Sequence, residues 1–211
     1  VLTRCGDDLF SIAVDDPADA QALAVQLRDT GRFIDVVPGI DSVVLRFATE
    51  SETASDVHAS VEDVLRAGIR PLETDTAILE IPVVYGGEYG PDLETLSNTT
   101  GLTVDEIVAL HTRSEYRVDM VGFTPGFAFI GGLDEKLRVP RRTEPRQQVA
   151  AGSVGIADGR TGLYAMASPG GWTLIGRTPC RLFDAAAAEP FALQPAMRVR
   201  FRSISADEFD S

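Results

Sequence analysis

After residue 76, glycine and proline interrupt the chain every few residues, as in "VGFTPGFAFIGGL", "AGSVGIADGRTGLYAM" and "SPGGWTLIGRTPCRLF". The apolar runs between them are strand-sized, so this region is restricted to many short strands joined by turns, an all-β barrel or sandwich. One helical insertion is predicted within it. Pro91 to Thr100 forms a first helix ended by Gly101, and Thr103 to about Thr112 a second, with Thr103 and Glu106 at capping-box spacing.

The first 75 residues have a different texture. "LFSIAV" alternates, placing Phe10, Ile12 and Val14 on one face of a strand. Asp16 can cap a helix with Pro17 in its first turn, and Ala20, Leu23, Ala24 and Leu27 recur at helical spacing before Gly31. "FIDVV" and "SVVLRF" follow as a hairpin around Pro38-Gly39, and Val57, Val61, Val64 and Leu65 mark a second helix ended by Gly68. With "AILEIPVVY" from Ala77 able to supply a last strand, the order matches a ferredoxin-like unit. The expected fold class is therefore α+β, with a ferredoxin-like domain over residues 1–76 and a β-barrel domain over residues 77–211. A charge shift supports that division, since most of the formal net charge of -13 falls in the first part.

This acidic balance argues against nucleic acid and anionic membranes as partners. Apolar runs such as Ile81 to Tyr85 and Phe127 to Ile130 fall far short of the ~20 residues that span a bilayer, and no charged-then-apolar leader opens the chain, so a soluble cytoplasmic protein is expected. Cys5 and Cys180 lack a CxxC partner and read as thiols, and with only His58 and His111 besides them no zinc-type cluster is expected. Lys136 is the sole lysine and sits in "LDEKLR", outside any G-x-x-x-x-G-K-[ST] loop. No serine lies in a G-x-S-x-G elbow. A complete hydrolytic set within this one chain is thus missing from the motifs.

Several segments still carry chemistry. His111 ends the second inserted helix, where it serves either as a general base or as a cap for its own helix end. The helix pair has the outline of a helix-turn-helix, but Asp105 and Glu106 open the second helix and no basic residue precedes Arg113, which favours a packing pair. Arg138, Arg141, Arg142 and Arg146 cluster around Pro140 and Pro145, suited either to gripping a carboxylate or phosphate or to pairing with neighbouring acids. Trp172 follows Gly170-Gly171, with Arg177 five residues on. There the glycines can form an anion-binding nest and the indole can stack on a flat ligand, or Trp172 can close the barrel core. "YGGEYGPDLE" offers the carboxylates of Glu88 and Asp92 beside Tyr85 and Tyr89, in a turn leading into a helix.

In order along the chain, "IPVVYGGEYGPDLETLS", "LHTRSEYRVDMVGFTPGFAFIGGL", "PRRTEPRQQVAAGSVGIA" and "TGLYAMASPGGWTLIGRTPCRLFD" resemble the KipI family, also called the B-type 5-oxoprolinase subunit (PxpB) or allophanate hydrolase subunit 1. The resemblance implies a ferredoxin-like domain followed by a cyclophilin-like β-barrel. It implies pairing with a KipA/PxpC-like subunit of the allophanate hydrolase subunit 2 family and with a PxpA-like third subunit, in an ATP-dependent opening of 5-oxoproline to glutamate. A similar pair of modules occurs in the carboxyltransferase region of urea carboxylase. Where the family pattern has Tyr, Gln and Pro, this chain has Phe129, Arg160 and Ala165. On this reading His111 and Asp92 are the candidate catalytic groups, and Arg141, Arg146, Trp172 and Arg177 the candidate substrate-binding groups. ATP is the expected cofactor of the complex and no metal is expected. The alternative function is a KipI-like inhibitor of a sensor histidine kinase.

Overall fold

The computed structural model describes residues 1–72 and 77–210. The chain divides into two units, Val1–Thr74 and Asp75–Ser211. The expected boundary between residues 76 and 77 adjoins residues 73–76, which lie outside the described residues.

In the first unit, strands β1 (Leu2–Arg4), β2 (Leu9–Ala13), β3 (Asp35–Pro38) and β4 (Ser42–Arg46) form an antiparallel sheet in the order β1-β2-β4-β3. Helix α1 (Pro17–Asp29) begins where the Asp16 carboxylate accepts the Ala18 N–H at 2.6 Å. Helix α2 (Ala54–Ala67) begins at a reciprocal Thr53–Asp56 capping box. Alternation brings Phe10, Ile12, Val43 and Leu45 to one face, against Leu23 and Leu27 of α1 and Val57 and Val61 of α2. The expected edge strand is different. "AILEIPVVY" pairs outside this sheet, and β1, at the other end of the sequence, occupies the edge beside β2.

In the second unit the segment from Ile78 is a barrel strand, β5 (Ile78–Tyr85). The others are β6 (Tyr116–Val121), β7 (Ala128–Gly131), β8 (Arg146–Val149), β9 (Ser153–Ala157), β10 (Arg160–Leu163), β11 (Ser168–Gly170), β12 (Thr173–Arg177) and β13 (Arg198–Ser203). The barrel closes as β10-β7-β6-β13-β5-β12-β9, with β8 and β11 paired apart from it. Every barrel pairing is antiparallel except β13 beside β5. Helices α3 (Leu93–Thr100) and α4 (Val104–Arg113) bury Leu93, Leu96, Ile107 and Leu110 in the same apolar cluster as the barrel's Ile81, Ile130, Ile156 and Phe201. Their apolar faces are thus consumed by packing. A short helix, α5 (Ala206–Phe209), is the last element among the described residues.

The turn between β5 and α3 is pressed onto β12. Gly86 N–H donates to the Ile175 carbonyl at 3.0 Å, and Asp92 N–H to the Leu174 carbonyl at 3.0 Å. A Cβ at Gly90 would overlap the Ile175 carbonyl, so only glycine permits this approach, whereas Gly87 has open space around it and a φ of +53°. Gly87→Ala is expected to cost roughly 1–2 kcal/mol in left-handed strain. Gly90→Ala should cost at least about 2 kcal/mol more, because it pushes the turn off two backbone hydrogen bonds. Denaturant unfolding of the pair checks this, and equal losses would refute the packing argument.

Candidate functional site

The glycine-aromatic segments of the sequence converge on one small cleft of about 80 Å³. Its wall is Phe127, Phe129, Tyr164 and Trp172, its floor Gly170 and Gly171, and its rim Phe123 and Arg141. Phe127 is the hub of the wall, edge-on to Tyr164 at 4.9 Å, to Phe129 at 4.8 Å and to Trp172 at 5.7 Å between ring centroids. Edge-to-face contacts of this kind fix ring orientation as well as bury area. The rings fit because glycine stands opposite them. A Cβ at Gly162 would lie 2.9 Å from both Phe127 and Trp172, and one at Gly155 would lie 2.9 Å from Trp172. Trp172 therefore belongs to an apolar cluster with Phe127, Val149, Ala157, Tyr164 and Leu174, separate from the main barrel core. Phe123 stands at the rim, 70% exposed and with a φ of 72°, an unusual conformation for a residue with a large side chain.

Gly170-Gly171 does not form the expected nest. Neither glycine adopts positive φ, and Gly170 lies in strand β11. Its role is steric, since a Cβ there would collide with the Tyr164 hydroxyl.

Beside the cleft is a charge cluster. The Asp92 carboxylate, only 5% exposed, accepts from Arg146 Nη2 at 2.7 Å and Arg142 Nη1 at 3.2 Å through Oδ1, and from the Leu174 N–H at 2.7 Å through Oδ2. The register of β12 against β9 shifts between Leu174 and Gly176, which leaves both backbone groups of Leu174 for Asp92. Asp92, a candidate catalytic group, is thus fully engaged as a counter-ion. The other two arginines of the cluster also face acids: Arg141 pairs with Asp158 at 3.1 Å and Arg138 with Glu135 at 3.8 Å. Arg141 also lies over the Trp172 ring at 5.8 Å.

The structure brings Arg141 together with Trp172, and Asp92 together with Arg146. His111 and Arg177 are elsewhere. His111 is completely buried inside the barrel, with Nδ1 2.7 Å from the Tyr85 hydroxyl, Nε2 3.0 Å from Thr161 Oγ1, and its ring against Phe201 at 4.4 Å. Burial lowers its pKa to about 3, so the ring is neutral at physiological pH. A proton carrier needs access to a ligand and a pKa near the working pH, and the burial of His111 favours instead a neutral ring packed and hydrogen-bonded within the barrel. Its backbone carbonyl is capped by the Tyr116 hydroxyl at 2.9 Å. Arg177 donates through Nε to the Ala151 carbonyl at 2.8 Å, and its guanidinium lies over Phe209. Arg160, at the position where the family pattern has Gln, pairs with Asp119 at 3.0 Å.

Two residues of the site escaped the sequence reading. Arg142 stood in the noted cluster, but only the fold selects it as a partner of Asp92. Tyr164 stood in "TGLYAM" with no mark to distinguish it from a core tyrosine. Among the described residues, no three His, Cys, Asp or Glu side chains gather as a metal site, and no helix is long and apolar enough to cross a membrane.

A ferredoxin-like unit followed in sequence by a closed seven-stranded barrel, with helices inserted after the first barrel strand, defines a protein of the carboxyltransferase-domain class. The chain belongs to the carboxyltransferase domain family, subdomain C and D, which matches residues 1–193. It is 42% identical over 181 residues to the B-type 5-oxoprolinase subunit of Escherichia coli O157:H7, covering 85% of this chain and 82% of that one. To the B-type 5-oxoprolinase subunit of Bacillus subtilis (strain 168) it is 35% identical over 219 residues, covering 99% and 91%. Among solved structures, TTHA0988 is 32% identical with a TM-score of 0.79 over 94% of this chain, which spans 40% of that longer one. Kluyveromyces lactis urea carboxylase, 17% identical with a TM-score of 0.78 over 99% of this chain and 22% of its own, shares the fold.

Two outcomes follow from the buried charges. Asp92→Asn leaves two guanidiniums against an uncharged amide. Breaking a fully buried pair costs about 3–5 kcal/mol, and the part-exposed arginines reduce this to about 2–3 kcal/mol, read by denaturant unfolding. A loss below about 1 kcal/mol would show that the cluster does not hold the strands. For His111, the unfolded chain binds a proton near pH 6.5 while the folded chain waits until about pH 3. Between those values the unfolded state holds more protons, so acidification destabilises the fold by up to about 1.4 kcal/mol per pH unit from this group. His111→Gln should remove that part of the slope between pH 6 and pH 4, and parallel stability curves for the two proteins would contradict it.

Proposed function

We propose that this chain is one component of an ATP-dependent 5-oxoprolinase-type complex, which opens 5-oxoproline to glutamate with conversion of ATP and water to ADP and phosphate. The observation that carries this reading is the identity to B-type 5-oxoprolinase subunits across most of both chains. The site supports a shared rather than self-contained activity. Its cleft offers rings and Arg141 for holding a small acid, while the buried histidine and engaged aspartate supply no free proton-transfer pair. The missing groups come from a KipA/PxpC-like partner and a PxpA-like partner. The alternative of a kinase inhibitor draws no support from these relatives.

ATP is assigned to the complex and not to a seat on this chain. The sole lysine, Lys136, lies in a short 3-10 turn over Glu135–Leu137, where its own N–H bonds to Asp134 at 3.0 Å, so it does not present a phosphate loop. Phe123 suits the contact with a partner. Large aromatic residues anchor interfaces, and this one is held outward by an unfavourable backbone conformation that burial against a second chain would offset.

The purified chain alone is expected to show no 5-oxoproline-dependent ATP hydrolysis, and the three-component mixture to show it. Phe123→Ala should weaken association with the KipA/PxpC-like partner tenfold or more without lowering the thermal midpoint. Turnover by the isolated chain, or silence of a correctly assembled complex, would overturn the reading.

A further inference from the structure

Tyr164 is 1% exposed, yet its hydroxyl proton has no acceptor; the one backbone group beside it is the Trp172 N–H, itself a donor. A buried donor left unpaired is costly, and such groups are rare unless something binds them. Its position is fixed from two sides. Phe127 abuts the ring edge-on, and Gly170 leaves the space that the hydroxyl fills. The hydroxyl therefore lies at the floor of the cleft, beneath the Trp172 wall. Positive charge is near it: Arg141 stands at the rim, and Arg146 faces Gly170 across the β8–β11 ladder. Arg146 Nη1 is also buried and unpartnered, although Nη2 of the same group is bonded to Asp92. The Trp172 amide and both arginines favour the phenolate, but burial outweighs them and pushes the phenol up, so the hydroxyl keeps its proton and can donate.

We propose that this cleft seats a small planar cyclic amide bearing a carboxylate, with the Tyr164 hydroxyl donating to the carboxylate and the Trp172 and Phe127 rings flanking the ring. Aromatic walls with a few convergent polar groups are the usual form of a small-molecule site. The absent Cβ of Gly170 admits the Tyr164 hydroxyl, and Gly171, which lines the cleft beside it, presents no side chain to a flat ligand. The identity of the ring as 5-oxoproline rests on the proposed function. The seat itself, and its demand for an anion, rest on the cleft geometry.

Trp172 is the only tryptophan in the chain, so its emission reports occupancy directly. 5-Oxoproline is expected to change that emission saturably in the full chain, and 2-pyrrolidone, the same ring without the carboxylate, to bind tenfold or more weakly. Tyr164→Phe should weaken 5-oxoproline by tenfold or more while leaving the thermal midpoint unchanged or higher, because it removes a hydroxyl whose proton nothing in the fold accepts. In the assembled complex the same variant should raise KM by tenfold or more with a smaller effect on kcat. Equal binding of 2-pyrrolidone, or a Tyr164→Phe protein that titrates like wild type, overturns the proposal. Should the isolated chain show no emission change, an unchanged KM for the Tyr164→Phe complex overturns it instead. A Trp172 titration by 5-oxoproline with no turnover in the complex would sink the functional reading and leave the seat standing.

Discussion

The Asp92 carboxylate holds together the part of the barrel on which the site depends. It sits at the start of α3, accepts from β12 through Leu174, and draws in Arg146 of β8 and Arg142 of the loop before it. Three segments distant in sequence are thereby fixed by one side chain. Since β8 pairs with β11, and Gly170 of β11 abuts Tyr164, the position of the cleft floor follows from where Asp92 holds Arg146. Hydrogen bonds between charged groups are stronger and more directional than neutral ones, and this one is shielded from water, so it can set geometry and not merely add stability.

The second constraint is steric. Gly155, Gly162 and Gly170 face Trp172, Phe127 and Tyr164, each at a distance where a Cβ would collide. Glycine at these positions is needed less for backbone freedom than for thickness, because it lets large rings lie flat against a strand. The frequency of glycine in this half of the chain therefore has two sources. Some glycines end strands or make turns, as Gly101 does at a φ of 73° between α3 and α4, and others make room for rings.

That double use explains what was legible in the sequence. Helices α1, α2 and α4 were readable because their signals are local: Asp16 with Pro17 for α1, the spacing of Val57, Val61, Val64 and Leu65 for α2, and Thr103 with Glu106 for α4. The strandedness of the second unit was readable from turn residues. The destination of β5 was not, because its partner β13 lies near the other end of the chain and nothing in "AILEIPVVY" distinguishes a ferredoxin-like edge from a barrel stave. Residue types in the site were visible, notably the arginine cluster and the Gly-Gly-Trp run. Which arginine would meet Asp92, 50 or 54 positions away, was set by closure of the barrel. For His111 the sequence allowed either a general base or a cap for its own helix, and only the fold shows that α4 turns the residue inward onto Phe201.

The charge of the chain sharpens the case for a local anion seat. With a formal net charge of -13, the molecule as a whole repels a small acid, and any carboxylate that binds must do so where the local balance is reversed. Most exposed arginines here cannot supply that reversal, because each faces an acid of its own, as Arg141 faces Asp158. Arg198 and Arg200 also share one acid, Glu115, but at the surface, and the Asp92 cluster differs from that trio in its buried carboxylate. One carboxylate is shared by two guanidiniums, which leaves a surplus of one positive charge, and the unpartnered Nη1 of Arg146 belongs to that surplus. Screening is weaker for charges held partly away from water, so an excess charge there acts more strongly than the same charge on the open surface. An acidic protein can in this way bind an acidic ligand, provided that the ligand comes to the cleft floor at Tyr164, one ladder position from Arg146, and not to the surface around it.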